Sequence, residues 1–210
     1  MKRLLPGVQW LVLSLLFAVI ALFATYIVLR PNPTRADSEQ YKVLSAYIAR
    51  GLTGESHDLG SRRGLVLIAN RTTFSQPMVN STKLKQYVAL VLSSQRRRAS
   101  MPELSRRLIF EFWAANLRDE TLERRFQFAA PYALATEEEM KLWPSAEFMA
   151  RFPDSYGVLT FSRVAFNSDL TEAMFYTEHL CGLCGEGKFV LMRKTAGKWI
   201  EVDSASMWIS

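Results

Sequence analysis

An uninterrupted run of 22 residues without a charged side chain, Val8 to Leu29, constrains this chain first. Only Gln9, Ser14 and Thr25 in it are clearly polar. At about 1.5 Å per residue such a run reaches roughly 33 Å as a helix, enough to cross a hydrocarbon core of about 30 Å. Trp10 and Tyr26 lie near its ends, where amphipathic rings favour the headgroup zone. Pro31-Asn32-Pro33 is expected to end the helix, because proline lacks the amide donor and clashes with the preceding turn.

A cleaved signal peptide is the rival reading. Its apolar region normally runs about 7–15 residues and ends at a small-x-small site. Cleavage after Ala24 would put Leu22 at the position that needs a small residue. Ala21, with Val19 in that place, lies inside the apolar run. The length and flanks therefore point to an uncleaved anchor over residues 1–30, a linker over 31–37 and one domain over 38–210. Lys2 and Arg3 on one side nearly balance Arg30, Arg35 and Lys42 on the other, so the positive-inside rule gives little contrast. A short tail ahead of a single anchor commonly stays inside. The expected arrangement is N-in and C-out, with the domain extracytoplasmic and a lipid bilayer around Val8–Leu29 as first partner.

The net charge of +6 comes from 26 basic and 20 acidic side chains. Setting aside Lys2, Arg3 and Arg30 at the membrane flanks leaves 23 against 20, a balance of +3. The basic excess of the domain is local. Lys83, Lys85, Arg96, Arg97, Arg98, Arg106 and Arg107 fall between Lys83 and Arg107, where Glu103 is the single acid. A surface for anionic lipid or an acidic partner would look like this. So would solvated helix ends whose cations complement the macrodipole, the reading preferred here. No nucleic-acid-binding signature accompanies these residues, and nucleic acid is not expected as a partner.

The domain reads as α+β, helix-rich over 38–156 and a β-meander over 157–210. Ser38 to Leu52 has an N-cap candidate and a partly amphipathic period. Gly64 to Ala69 is a short apolar run suited to a buried strand, after a polar loop from Gly54 to Arg63. Lys83–Gln95 and Pro102–Leu117 suggest two helices, the second with Leu104, Leu108, Ile109, Phe112 and Trp113 toward the core. Phe126 to Leu134 suggests a strand broken near Pro131. Thr136-Glu-Glu-Glu139 fits a capping box, and Ser145 to Arg151 a further helical turn or two. After Gly157, the runs Val158–Asn167, Ala173–His179, Lys188–Arg193 and Lys198–Val202 are rich in β-branched and aromatic residues, with short connections. That spacing predicts an antiparallel meander, with a last short strand at Met207–Ile209.

Cys181-Gly-Leu-Cys184 is the sharpest chemical feature. A redox pair of this spacing usually sits at a helix N-terminus, where the thiol pKa falls. Gly182, Gly185 and Gly187 argue against a helix there and for a hairpin loop, so a structural disulfide is preferred to a redox pair. His179 with Cys181 and Cys184 offers three donors, one short of the usual structural zinc set, and no metal or other cofactor is expected. His57-Asp58 is a weak acid–base candidate on a polar loop. Hydrolase and phosphate-loop motifs are missing. Arg163 and Asn167 share a face if their strand is regular, and Arg163 reads as an anion-binding or, preferably, an ion-paired arginine.

Phe161-Ser-Arg-Val-Ala-Phe-Asn167, Cys181-Gly-Leu-Cys-Gly-Glu-Gly187 and Gly197-Lys-Trp-Ile-Glu-Val202 together resemble a group of uncharacterised bacterial proteins. Those proteins look like membrane-anchored or exported single domains ending in this meander. The resemblance is strongest over the C-terminal quarter, weaker over Tyr41 to Thr73, and implies no activity. The last strands are also similar to the ends of cystatin-like or nuclear-transport-factor-like cone folds, a generic likeness. The expected role is an extracytoplasmic binding or envelope-assembly module with an envelope protein partner, without catalysis of its own. The alternative is a thiol redox enzyme, or one for a small anionic substrate, using the Cys181/Cys184 loop and Arg163.

Overall fold

The computed structural model describes residues 14–18, 20, 33–52, 64–73, 101, 103–182 and 184–210. Most of Val8–Leu29, the expected loop over 54–63 with His57, the expected helix over 83–95 with Lys83 and Lys85, and the following Arg96, Arg97 and Arg98 lie outside the described residues. Among the described residues no helix is long and apolar enough to cross a membrane.

The first helix of the domain, α1, spans Pro33–Leu52. It begins five residues before the expected Ser38, so most of the supposed linker is helical. Proline has no amide to satisfy at a first helical position and its φ is already helical, so Pro33 opens this helix as readily as it would end a preceding one. The strands and helices that follow are β1 (Leu65–Ala69), α2 (Arg106–Ala115), β2 (Tyr132–Ala135), α3 (Glu137–Lys141) and α4 (Ala146–Arg151). Then come β3 (Ser155–Phe161), β4 (Ala165–Phe166), β5 (Glu172–Leu180), β6 (Gly185–Thr195) and β7 (Lys198–Ile209).

Local chemistry sets several of these boundaries. Thr136 and Glu139 form the reciprocal capping box at the start of α3. Ser105 and Ser145 cap α2 and α4, accepting from the amides of Leu108 at 3.1 Å and Phe148 at 3.2 Å. The fold is α+β, as expected.

The sheet departs from a pure meander. Its order is β2-β1-β3-β5-β6-β7, with β4 alongside β5. The run from β3 through β5, β6 and β7 is antiparallel. β1 instead lies parallel to both β2 and β3. Parallel neighbours need crossover connections, and α2 and the α3–α4 pair lie in the two segments that supply them. Phe126, expected in a strand, is a buried residue of irregular chain, and β2 starts only at Tyr132. The two runs at Lys198–Val202 and Met207–Ile209 are one strand. Shifts in the β6–β7 register leave Val202 and Met207 as extra residues, so two bulges bend it without breaking it.

Strand alternation divides the core between the two faces. Phe161, Phe175, Val190 and Trp199 pack with Tyr41, Leu44 and Ile48 of α1 on one side. On the other, Tyr176, Phe189 and Leu191 pack with Leu108 and Phe112 of α2, with Ile109 and Trp113 partly buried beside them. Leu67, Ala135 and Val158 pack there with Phe148 of α4.

Candidate functional site

The end of the β5–β6 hairpin gathers the features that carry chemistry. Leu180 of β5 pairs with Gly185 of β6, and the Cys181 amide donates to the Cys184 carbonyl at 3.0 Å. Between them Gly182 takes a φ of +78°, a left-handed position that glycine fills without strain. Cys181 and Cys184 are joined as a disulfide with their Cα atoms 5.0 Å apart. They sit in a turn and not at a helix N-terminus, so the dipole that activates a redox thiol is missing. Cys184→Ser is expected to cost about 2 kcal/mol by the loop-closure relation for so short a loop, and to lower the melting temperature by about 4–8 °C. A redox role predicts another outcome: unchanged melting with loss of thiol–disulfide exchange.

His179 and Glu178 leave β5 on opposite faces. His179 lines a cleft of about 240 Å³ beneath the end of α1. Leu52, Val66 and Leu159 form much of its wall, with Asp154, Ser155 and Gly157 on the β3 side. A bulge creates the opening. The β1–β3 register runs from Leu65↔Ser155 to Leu67↔Val158, so β3 carries an extra residue there. Gly157, within that bulge, has φ +118°.

Glu178 points into a polar gap between the two apolar clusters on the α2 side and is only 8% exposed. It accepts from the Tyr176 hydroxyl at 3.0 Å and from Thr160 at 3.4 Å. The Trp208 indole donates in turn to the Tyr176 oxygen at 2.9 Å. A side chain at Gly187 would collide with both Trp208 and Tyr176. Burial pushes the Glu178 carboxyl above its ordinary range, and the hydrogen bonds offset only part of that. It makes no ion pair among the described residues.

The other predicted residues do not converge here. Arg163 lies in the break between β3 and β4, so the assumed regular strand through Asn167 is not formed. Its Nε lies 2.8 Å from Glu120 Oε2, in an ion pair without hydrogen-bond alignment. Its amide donates to Asn116 Oδ1 at 2.8 Å. Arg163 is thus an ion-paired, half-buried residue beside the first half of β5, several residues from the cysteine turn. Asn167 is a turn residue, accepting from the amides of Thr171 at 2.9 Å and Glu172 at 3.0 Å. Arg106 and Arg107 are exposed, but they open α2. Cations there face the positive end of the macrodipole, so the preferred explanation by dipole complementarity fails for these two. Among the described residues no cluster of His, Cys, Asp and Glu is fit to hold a metal ion.

Sequence reading passed over Glu178, Tyr176, Trp208 and Glu39. A signal existed for the first two. Met174, Tyr176 and Glu178 alternate with Ala173, Phe175 and Thr177, so a carboxylate necessarily shared the face of a tyrosine inside an apolar strand. No family model, curated protein or solved structure matches this chain.

Proposed function

We propose that the chain is a membrane-tethered α+β binding domain held outside the cytoplasm, its N-terminus inside, with no catalysis at the cysteine turn. One observation carries the tether. Leu15, Leu16, Phe17 and Ile20 are helical, yet they expose 68, 56, 78 and 57% of their surface. Apolar side chains in a row that their own domain leaves uncovered need another apolar solvent, and the uncharged run around them is long enough for a bilayer. The Cys181–Cys184 bond adds support for the compartment, because disulfides persist where the surroundings are oxidising.

Reporter fusions at the C-terminus test both claims in bacterial cells. Active alkaline phosphatase and a dark green fluorescent protein are expected, with the chain staying in the membrane fraction after alkaline carbonate extraction. Release by carbonate removes the tether, and a fluorescent C-terminus removes the orientation.

A further inference from the structure

We propose that the end of the domain carrying the β6–β7 turn rests on anionic lipid headgroups, so that the cysteine turn and the cleft face away from the bilayer. This rests on the membrane tether, to which it adds a direction and a contact surface.

Chain length sets the starting point. Arg30, Pro31 and Asn32 alone separate the uncharged run from Pro33, the first residue of α1. The four steps from Leu29 to Pro33 reach at most about 14 Å, so α1 starts in or just above the headgroup layer. The flanks of this helix are engaged within the domain. Leu44 and Ile48 pack on the sheet. The Tyr41 and Ser45 hydroxyls accept from the amides of Glu123 and Gln127, at 2.8 Å each. Between Glu39 and Ile48 only Lys42 is exposed. The helix therefore meets the bilayer by its first turns and by what the fold gathers around them.

One end of the sheet is gathered there. Glu39, in the second turn of α1, receives Lys194 and the Trp199 indole from the two sides of the β6–β7 turn. That turn, Ala196-Gly197, has φ values of +49° and +80° and is exposed together with Lys198. The turn ahead of β5 lies beside it, with the Lys194 amide donating to the Thr171 carbonyl. At its far end α1 brings Leu52 to the cleft wall with His179. Nine successive β5–β6 pairs, from Glu172↔Arg193 to Leu180↔Gly185, separate the two ends by roughly 26 Å of strand.

Charge selects the lipid. Glu39 is held by Lys42 and Lys194, and Asp37 by Arg125, which also lies 3.8 Å from Glu123. Around these pairs Arg35, Arg124 and Lys198 are exposed, with Asp169 on the neighbouring turn. A basic residue close to an anionic leaflet strengthens attachment about fivefold.

The ¹⁵N-labelled full chain in lipid nanodiscs tests this. Discs of phosphatidylcholine with one quarter phosphatidylglycerol carry a trace of lipid with a gadolinium-chelated headgroup. Amides of Gly197, Lys198 and Asp169 are expected to broaden strongly, and those of Gly182 and Gly185 to stay sharp. In discs of phosphatidylcholine alone the broadening is expected to weaken. Lys198→Gln and Arg124→Gln, both at exposed positions, are each expected to weaken the headgroup-bound state about fivefold in the mixed discs. A chain that elutes apart from the discs removes the tether and this orientation with it. A chain that stays with the discs overturns the orientation alone if Gly182 broadens as much as Gly197. It overturns the lipid selection if the broadening is the same with and without phosphatidylglycerol and in both variants.

Discussion

Gly157→Ala is expected to be the most damaging single-methyl change in the domain, costing about 3 kcal/mol or more. Two effects combine. A φ of +118° is outside the regions that an L side chain adopts readily. The added methyl would also meet the carbonyl of Leu180 and the Cα of Cys181, which are main-chain atoms and cannot rotate away. β3 and β5 would have to part at the point where β5 enters the hairpin turn. Gly182 and Gly197 supply the controls. Both have positive φ, +78° and +80°, but a Cβ there meets nothing within 4 Å. Alanine at either is expected to cost only about 1 kcal/mol. Urea unfolding of the three variants measures the difference. Equal losses would show that the backbone conformation, and not the approach to β5, dominates at Gly157.

Glu39→Gln is expected to cost about 3 kcal/mol at neutral pH and to remove most of the stability lost below pH 4.5. Glu39 lies on α1, is 8% exposed, and receives three donors. Lys194 Nζ and Trp199 Nε1 reach Oε2 at 2.8 and 2.9 Å, and Lys42 Nζ reaches Oε1 at 2.8 Å. Burial pushes the carboxyl up, but the hydrogen bonds from Lys194, Lys42 and Trp199 outweigh it and hold the pKa at about 2. The folded value lies below the unfolded one. Its contribution is therefore complete above pH 4.5 and disappears as pH falls toward 2.

Glu178 works with the opposite sign. Its folded pKa is raised, so its contribution is complete below pH 4.5 and is lost as pH rises through the folded value. The two windows meet at the ordinary carboxyl value and do not overlap. Melting temperature against pH should show Glu39→Gln flattening the acid limb alone and Glu178→Gln flattening the higher one alone. A Glu39→Gln profile parallel to that of the unaltered chain would mean that the three donors do not hold the carboxylate in solution.

Short-range features were the readable ones. The Thr136–Glu139 box, the short helix within Ser145–Arg151, the hairpin turn at the cysteines and the core period of Leu104, Leu108 and Phe112 each depend on residues at most eight apart in the chain. Propensity and alternation act over that distance. The strand at Leu65–Ala69 was visible as an apolar run, but its partners were not. Parallel pairing with Tyr132–Ala135 and with Ser155–Phe161 leaves no mark in any one segment. Start and stop residues at a proline were ambiguous for the same reason: Pro33 can follow one helix or lead another.

The chain's own order of residues thus settled an uncharged N-terminal run, an α+β composition and a glycine-rich turn that brings Cys181 to Cys184. Each follows from local sterics, hydrophobic period or charge. Tertiary structure alone decided which carboxylates are buried and what holds them. Glu39 meets Lys194 across 155 residues, and Glu178 is walled in by Trp208 from the far end of the sheet. It also placed Arg163 against Glu120, away from the cysteine turn, and opened the cleft where β3 bulges past β1. Such contacts come from pairing order and register, which are fixed only when distant strands close on one another and desolvate the groups between them.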